Sequence, residues 1–258
     1  MSGLHVTRLG SGPRVVFVHG SMGGGTEPFA TQLALADRYT LDLIERRGFG
    51  RSPARDDRVD FEADAADVAA QLAGGAHLVG HSYGGVVSLL ATALRPAAVR
   101  SLTVIEPPAF AVAAGDPAVD RLVARLRPLF PAPGAQTPEA FYGAFLRGLG
   151  YQLAGDPALS DEERGEVRPS MTERPPWEAR IPFDALRQSS VPVLVVRGDW
   201  APNPSAREIA GAAFRVVAER IAAELRAELV VVPGQMHQPQ RDPAFNDRLV
   251  AFWAAARD

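Results

Sequence analysis

Gly80, His81, Ser82, Tyr83 and Gly84 hold the spacing that chemistry would need most, a serine with a glycine two residues away on either side. Four strand-like residues, "HLVG", run into this stretch, and "GGVVSLL" leaves it with a helical pattern. A connection that short forces its central residue into a strained backbone conformation, so its neighbours must be nearly free of side chain. The pattern is G-x-S-x-G, which between a strand and a helix lifts the serine up as a nucleophile. A plain tight turn would not need the extra Gly85.

A serine hydroxyl is a poor nucleophile at neutral pH unless a base takes its proton. Five histidines are available. His5 is near the terminus, His19 lies in the turn after a strong strand, His77 opens a strand and His81 is inside the turn itself. None of these is well placed to face Ser82. His237 follows the last predicted strand in "VVVPGQMHQP", at the carboxyl edge of the sheet, where open α/β sheets place their sites. The sequence therefore offers His237 as the base.

The elements that must position this pair alternate. Short β-branched runs at 14 to 20, 39 to 45, 76 to 82 and 101 to 108 read as buried strands. Helical patterns, "EPFATQLALA" and "DFEADAADVAAQLAG", lie between them, as a parallel sheet covered on both faces requires. From residue 109 to about 185 the alternation stops, and apolar helical segments are separated by proline-rich joints. It resumes with strands at 191 to 199 and 228 to 234, a helical stretch around 205 to 227 and a last helix near 243 to 256. The expected organisation is one α/β core, residues 1–108 and 186–258, with a helical lobe of residues 109–185 inserted into it.

Composition narrows the chemistry. The 258 residues carry a net charge of -3, with acidic and basic residues interspersed, so no nucleic-acid footprint or cationic membrane-binding face is visible. Eighteen apolar residues never run together, and the start has no basic region followed by an apolar stretch. A soluble, cytoplasmic protein is expected. There is no cysteine and every basic residue is arginine, which excludes thiolate nucleophiles, cysteine-bound metals and lysine Schiff bases.

Taken together, "VVFVHGSMGG", "ERRGFGRSP", "VGHSYGG", "VIEPP", "VPVLVVRGDWAP" and "VVVPGQMH" with "RDPAFNDRLVAFW" resemble the α/β-hydrolase family over nearly the whole chain. The resemblance implies an eight-stranded, mostly parallel sheet with helices on both faces and a helical cap inserted after the sixth strand. It also implies a triad acid in a G-x-x-D tetrad after the strand "VLVVRG", but here the tetrad is "GDWA" and Ala201 occupies that place. Glu106, ending the strand "LTVIE" at the same sheet edge, is the candidate acid, and Asp199 is the alternative. The backbone N–H of Tyr83 and, by resemblance, that of Ser21 would form the oxyanion hole. Met22, Phe110 and Trp177 are candidates for the substrate pocket. Trp200 reads as filler beside the vacant position, and "ERRGFGRSP" as a structural turn with exposed arginines.

These readings point to a serine hydrolase of a small carboxylic ester, lactone or thioester that works through an acyl-enzyme on Ser82, with no metal and no organic cofactor. Its partner is a small-molecule substrate, with neither nucleic acid nor membrane, and a homodimer is left open. A lyase or cyclase using Ser82 and His237 as acid-base groups is the alternative, and a non-catalytic binding protein of the same fold is a third.

Overall fold

The structure is a computed structural model that describes residues 3–54, 58–130 and 136–256. Strands β1 (Val6–Leu9), β2 (Arg14–Val18), β3 (Thr40–Ile44), β4 (Ala76–His81), β5 (Val99–Ile105), β6 (Val193–Gly198) and β7 (Glu228–Val232) form one sheet in the order β1-β3-β2-β4-β5-β6-β7. Only β1 runs antiparallel, pairing Val6 with Ile44; every other neighbour is parallel. Seven strands are therefore present among the described residues rather than the expected eight. The described chain before β1, Gly3–His5, is too short for another strand, so the insertion follows the fifth strand.

Period-two alternation assigns each strand's side chains to two apolar layers. Val16 and Val18 of β2 pack with Leu78, Val104 and Val195 under helices α1 (Phe61–Gln71) and α2 (Tyr83–Leu94). Val15 and Phe17 face the other way, onto Phe29 and Trp253. Phe29 belongs to a run of 3-10 turns (Glu27–Asp37), kinked where a regular helix is expected from the sequence.

Between β5 and β6 the chain forms α3 (Pro117–Leu126), α4 (Pro138–Gly148), α5 (Asp161–Ser170) and α6 (Phe183–Ser189). Local sequence starts the first three. Asp116 and Thr137 cap the α3 and α4 amides just before a proline, and Ser160 with Glu163 closes a reciprocal capping box on α5. α6 packs on α2 and on the long helix that follows β6, so the expected boundary at residues 185 and 186 falls inside a helix lying against the core. After β6, a short α7 (Pro204–Ala206) passes through a π turn (Arg207–Gly211) into α8 (Ala212–Leu225), and α9 (Phe245–Ala255) ends the described chain.

The β4–α2 junction is the tightest point of the fold. A methyl group on Gly84 would meet the carbonyl oxygens of Val18 and His19, and one on Gly80 would meet the Gly84 carbonyl. This crowding brings the start of α2 down onto β2 and leaves Ser82 at φ 52° and ψ -125°, a conformation disfavoured for residues with a side chain. Gly84→Ala is expected to destabilise the protein by about 1–3 kcal/mol in urea unfolding, because rigid backbone must give way. Gly155→Ala, with open space around it, should stay within about 0.5 kcal/mol of wild type.

Candidate active site

Three side chains converge at the carboxyl edge of the sheet. Ser82 donates its hydroxyl hydrogen toward His237 Nε2 at 2.9 Å. His237 Nδ1 in turn faces Glu106 Oε2 at 3.7 Å. Neither of those two atoms has a hydrogen-bond partner among the described residues.

Each member is held from its own strand end. The Ser82 amide donates to the Ile105 carbonyl (2.8 Å), tying the turn to β5. Glu106, one residue further along, takes a left-handed conformation (φ 47°) after its amide bonds Val196. Its carboxylate is fully buried and Oε1 accepts from the Gly198 amide (2.7 Å) and the Trp200 indole N–H (3.1 Å). Trp200, also left-handed at φ 57°, donates its own amide to Gln235, which draws the His237 loop against the end of β6. Phe214 and Trp200 wall the imidazole, with ring centres 4.9 and 6.0 Å away.

Sequence reasoning missed two of these supports. Trp200 is a hydrogen-bond donor to the carboxylate rather than filler. His81 donates Nε2–H to the His237 carbonyl at 2.7 Å and so fixes the loop's backbone. Burial, with the nearby His237, draws His81 down to about 3, which keeps it neutral. Asp199 turns elsewhere, accepting from the Ala201 amide (2.9 Å) and the Gly234 amide (3.1 Å).

The same dryness acts on the central pair. Burial draws His237 down to about 4. It pushes Glu106 up to about 8, against the opposing pull of the Gly198 and Trp200 donors. Both shifts disfavour charge; contact between an imidazolium and a carboxylate would restore it.

A cavity of about 30 Å³ opens on Ser82 and His237. That is room for a water or two, so a larger molecule enters only when the lining shifts. Phe110 and Trp177 line it, with Phe130, Phe145 and Phe214 adding apolar surface. Met22 does not; it packs with Phe141 and Val167 of the insertion, its amide donated to Ser170 Oγ at 2.8 Å. Ser21 and Tyr83 also line the cavity. Tyr83 opens α2, so its N–H is one of the first-turn donors that no helical carbonyl accepts.

One polar cluster borders this apolar space. Glu173 lines the cavity, accepts from the Ser21 hydroxyl and pairs with Arg46 at 2.6 Å. Arg46, expected on the surface, is fully buried: it also pairs with Asp64 (3.0 Å), and its guanidinium lies 4.4 and 4.7 Å from the Phe49 and Tyr83 rings. Two carboxylates and two ring faces answer the desolvation of one cation. Among the described residues no group of three or more acidic or histidine side chains could hold a metal, and no helix is long and apolar enough to cross a membrane.

A parallel sheet with a serine on a strained strand-to-helix turn and a histidine after the last strand defines a class. The chain belongs to the alpha/beta hydrolase family, whose sequence pattern matches residues 15–251, and it is an enzyme of the esterase-like hydrolase type. It is 31% identical over 255 residues to the 2-(acetamidomethylene)succinate hydrolase of Mesorhizobium japonicum, covering 91% of this chain and 84% of that one. It is 32% identical over 174 residues to the pimeloyl-[acyl-carrier protein] methyl ester esterase of Aeromonas hydrophila, covering 66% of this chain and 65% of that one. An alpha/beta hydrolase from Sphaerobacter thermophilus superposes with a TM-score of 0.65 at 25% identity, covering 97% of this chain and 96% of that one.

The two buried groups make opposite contributions to stability as pH changes. Glu106, at about 8 when folded, lies above its ordinary 4.5, so its contribution is full below 4.5 and lost as pH rises toward 8. His237, at about 4, lies below 6.5, so its contribution is full above 6.5 and lost as pH falls toward 4. Urea unfolding between pH 5 and 8 is expected to show a smaller loss of stability with rising pH in Glu106→Gln than in wild type. Identical slopes would contradict the burial of an ionisable Glu106.

Proposed function

We propose that the protein is a serine hydrolase of small carboxylic esters, lactones or thioesters, with Ser82 as nucleophile, His237 as general base and Glu106 as the acid of the triad. The observation that carries this reading is the chain of contacts from Ser82 through the two ring nitrogens of His237 to Glu106. Residues 109–185 act as the cap over the site.

In this reading Ser82 Oγ attacks the carbonyl carbon while its proton passes to His237 Nε2. The carbonyl electron pair moves onto oxygen, which the N–H groups of Ser21 and Tyr83 receive. Collapse expels the alcohol or thiol, protonated by His237, and leaves an acyl-enzyme. Water, deprotonated by His237, then attacks the acyl carbon, and Ser82 recovers its proton. In the active form Glu106 is ionised, accepts Nδ1–H and stabilises the imidazolium each time it forms.

The relatives named as an acyl-carrier methyl ester esterase and as a hydrolase of an acetamidomethylene compound support acyl transfer at such a site. The aromatic lining favours an apolar group next to the scissile carbonyl.

Intact mass after treatment with a fluorophosphonate tests the assignment. Wild type should gain one adduct, Ser82→Ala none, Asp199→Asn one at near wild-type rate, and Glu106→Gln one at a rate lower by about 10²–10⁴. A folded but unlabelled wild type would overturn the acyl-enzyme and favour the lyase or cyclase reading. The pH profile of kcat/KM offers a second check. Activity should fall on the acid side with an apparent pKa belonging to the pair, between about 4 and about 8, and Glu106→Gln should move that limb down toward 4. An unmoved limb would remove Glu106 from the proton chemistry.

A further inference from the structure

The peptide joining Gly20 to Ser21 is fixed from behind. Gly20 O accepts from Arg46 Nη2 at 2.8 Å and lies 2.8 Å from His19 Nδ1. His19 Nε2 accepts the Arg46 amide at 3.0 Å, so the ring's proton sits on Nδ1 and the second contact to Gly20 O is also donated. Burial and the adjoining Arg46 hold His19 well below its usual range, and the ring is neutral. In a trans peptide C=O and N–H point in opposite directions. With the carbonyl tied on the Arg46 side, the Ser21 N–H faces away from it. A cation donating to a peptide oxygen also polarises the N–H of the same peptide and makes it a better donor.

The front of this loop is held by the inserted segment. The Met22 amide donates to Ser170 Oγ, which passes its own hydrogen to the Glu166 carbonyl at 3.2 Å. The Ser21 hydroxyl donates to Glu173, the Gly24 amide donates to the Glu166 carboxylate, and the Tyr83 hydroxyl donates to the Arg174 carbonyl at 3.1 Å. Four of the five loop residues 20–24 are thus held, Ser21, Met22 and Gly24 by residues 166–173 on one side and Gly20 by Arg46 and His19 on the other. Ser170 is wholly buried and Glu173 nearly so.

We propose that Ser170 and Glu173 are positioning residues for the Ser21 N–H, so that the oxyanion hole is completed only across the seam between the core and the inserted segment. This rests on the reading of Ser82 as the acylated nucleophile. Ser170 takes up the Met22 amide and Glu173 the Ser21 hydroxyl, the two groups that would otherwise compete for the same carbonyl oxygen or let the loop turn. The Ser21 N–H is the donor left for the substrate. When the segment lifts to admit substrate, the hole loses its front support; when it seats, the loop is set for the tetrahedral intermediate. Acylation is thereby confined to the closed enzyme.

The experiment compares turnover of a p-nitrophenyl ester with inhibition by an aryl trifluoromethyl ketone. Ser82 Oγ adds to the ketone carbon, its proton moves to His237, and the resulting oxyanion occupies the hole. Ser170→Ala is expected to lower kcat about tenfold with KM within twofold, and to weaken the ketone by the same factor as kcat. Ser170→Thr, which retains the hydroxyl, should recover most of both. Glu173→Gln should move kcat and ketone affinity together in the same direction. If Ser170→Ala does not fold, the near-isosteric Ser170→Cys, whose sulfur accepts poorly, makes the same comparison. A lowered melting temperature with unchanged kcat and ketone affinity would make Ser170 a structural seam contact and overturn the proposal alone. A wild type that takes neither the ketone nor a fluorophosphonate would overturn the reading of Ser82 and this inference with it.

Discussion

Glu106 is a carboxylate with no exposure to water, facing an imidazole whose side chain is 21% exposed, and the rest of the site is arranged around that contact. A buried carboxylate is tolerated only where donors replace its hydration. Here one oxygen receives the Gly198 amide and the Trp200 indole, while the other is left for His237. Presenting these donors requires two left-handed residues, Glu106 after β5 and Trp200 after β6, and a glycine at 211 where a methyl group would press on the Trp200 ring. The Trp200 amide bond to Gln235 then brings the His237 loop to the carboxylate. Pairing, loop placement and strain belong to a single arrangement at the ends of β5 and β6.

A similar economy holds on the other side of Ser82. The strained turn is stabilised by the Gly80 and Gly84 crossing and by the bond from the Ser82 amide to β5, so the position of Ser82 is set by the sheet itself. The loop that would bind the carbonyl oxygen is set differently. It depends on a buried arginine whose charge is matched by Asp64 from α1 and by Glu173 from the insertion. In the proposed reading the nucleophile and base sit at strand ends of the core, whereas the loop proposed to receive the oxyanion is held in part by the inserted segment. In that reading chemistry and access are coupled.

Much of this arrangement was legible in the sequence because it is local. The G-x-S-x-G turn, the strands before it and the histidine after the last strand are short-range patterns, and the structure brings Ser82 and His237 within hydrogen-bond distance. Glu106 was a candidate, an acidic residue ending a buried strand, because Ala201 stood where an acid is usual. What was not legible depends on contacts far apart in sequence. Trp200 looked like filler since its donor role exists only when β5 and β6 are neighbours. Arg46 looked exposed because its partners lie 18 and 127 residues away, and Met22 looked like pocket wall until α5 took up its amide. A strand count of seven likewise required the pairing of β1 with β3 to be seen.

The most direct test of the account is the state of the His237 ring in solution. With histidine labelled in its ring nitrogens and the enzyme held as a boronic acid adduct on Ser82, the Nδ1 proton should give a far-downfield NMR signal, the mark of an imidazolium bonded to a carboxylate. The account predicts that this signal is present in wild type and in Asp199→Asn, and is lost or moved strongly upfield in Glu106→Gln. A signal that survives in Glu106→Gln and disappears in Asp199→Asn would contradict it, and would move the acid from the end of β5 to the end of β6.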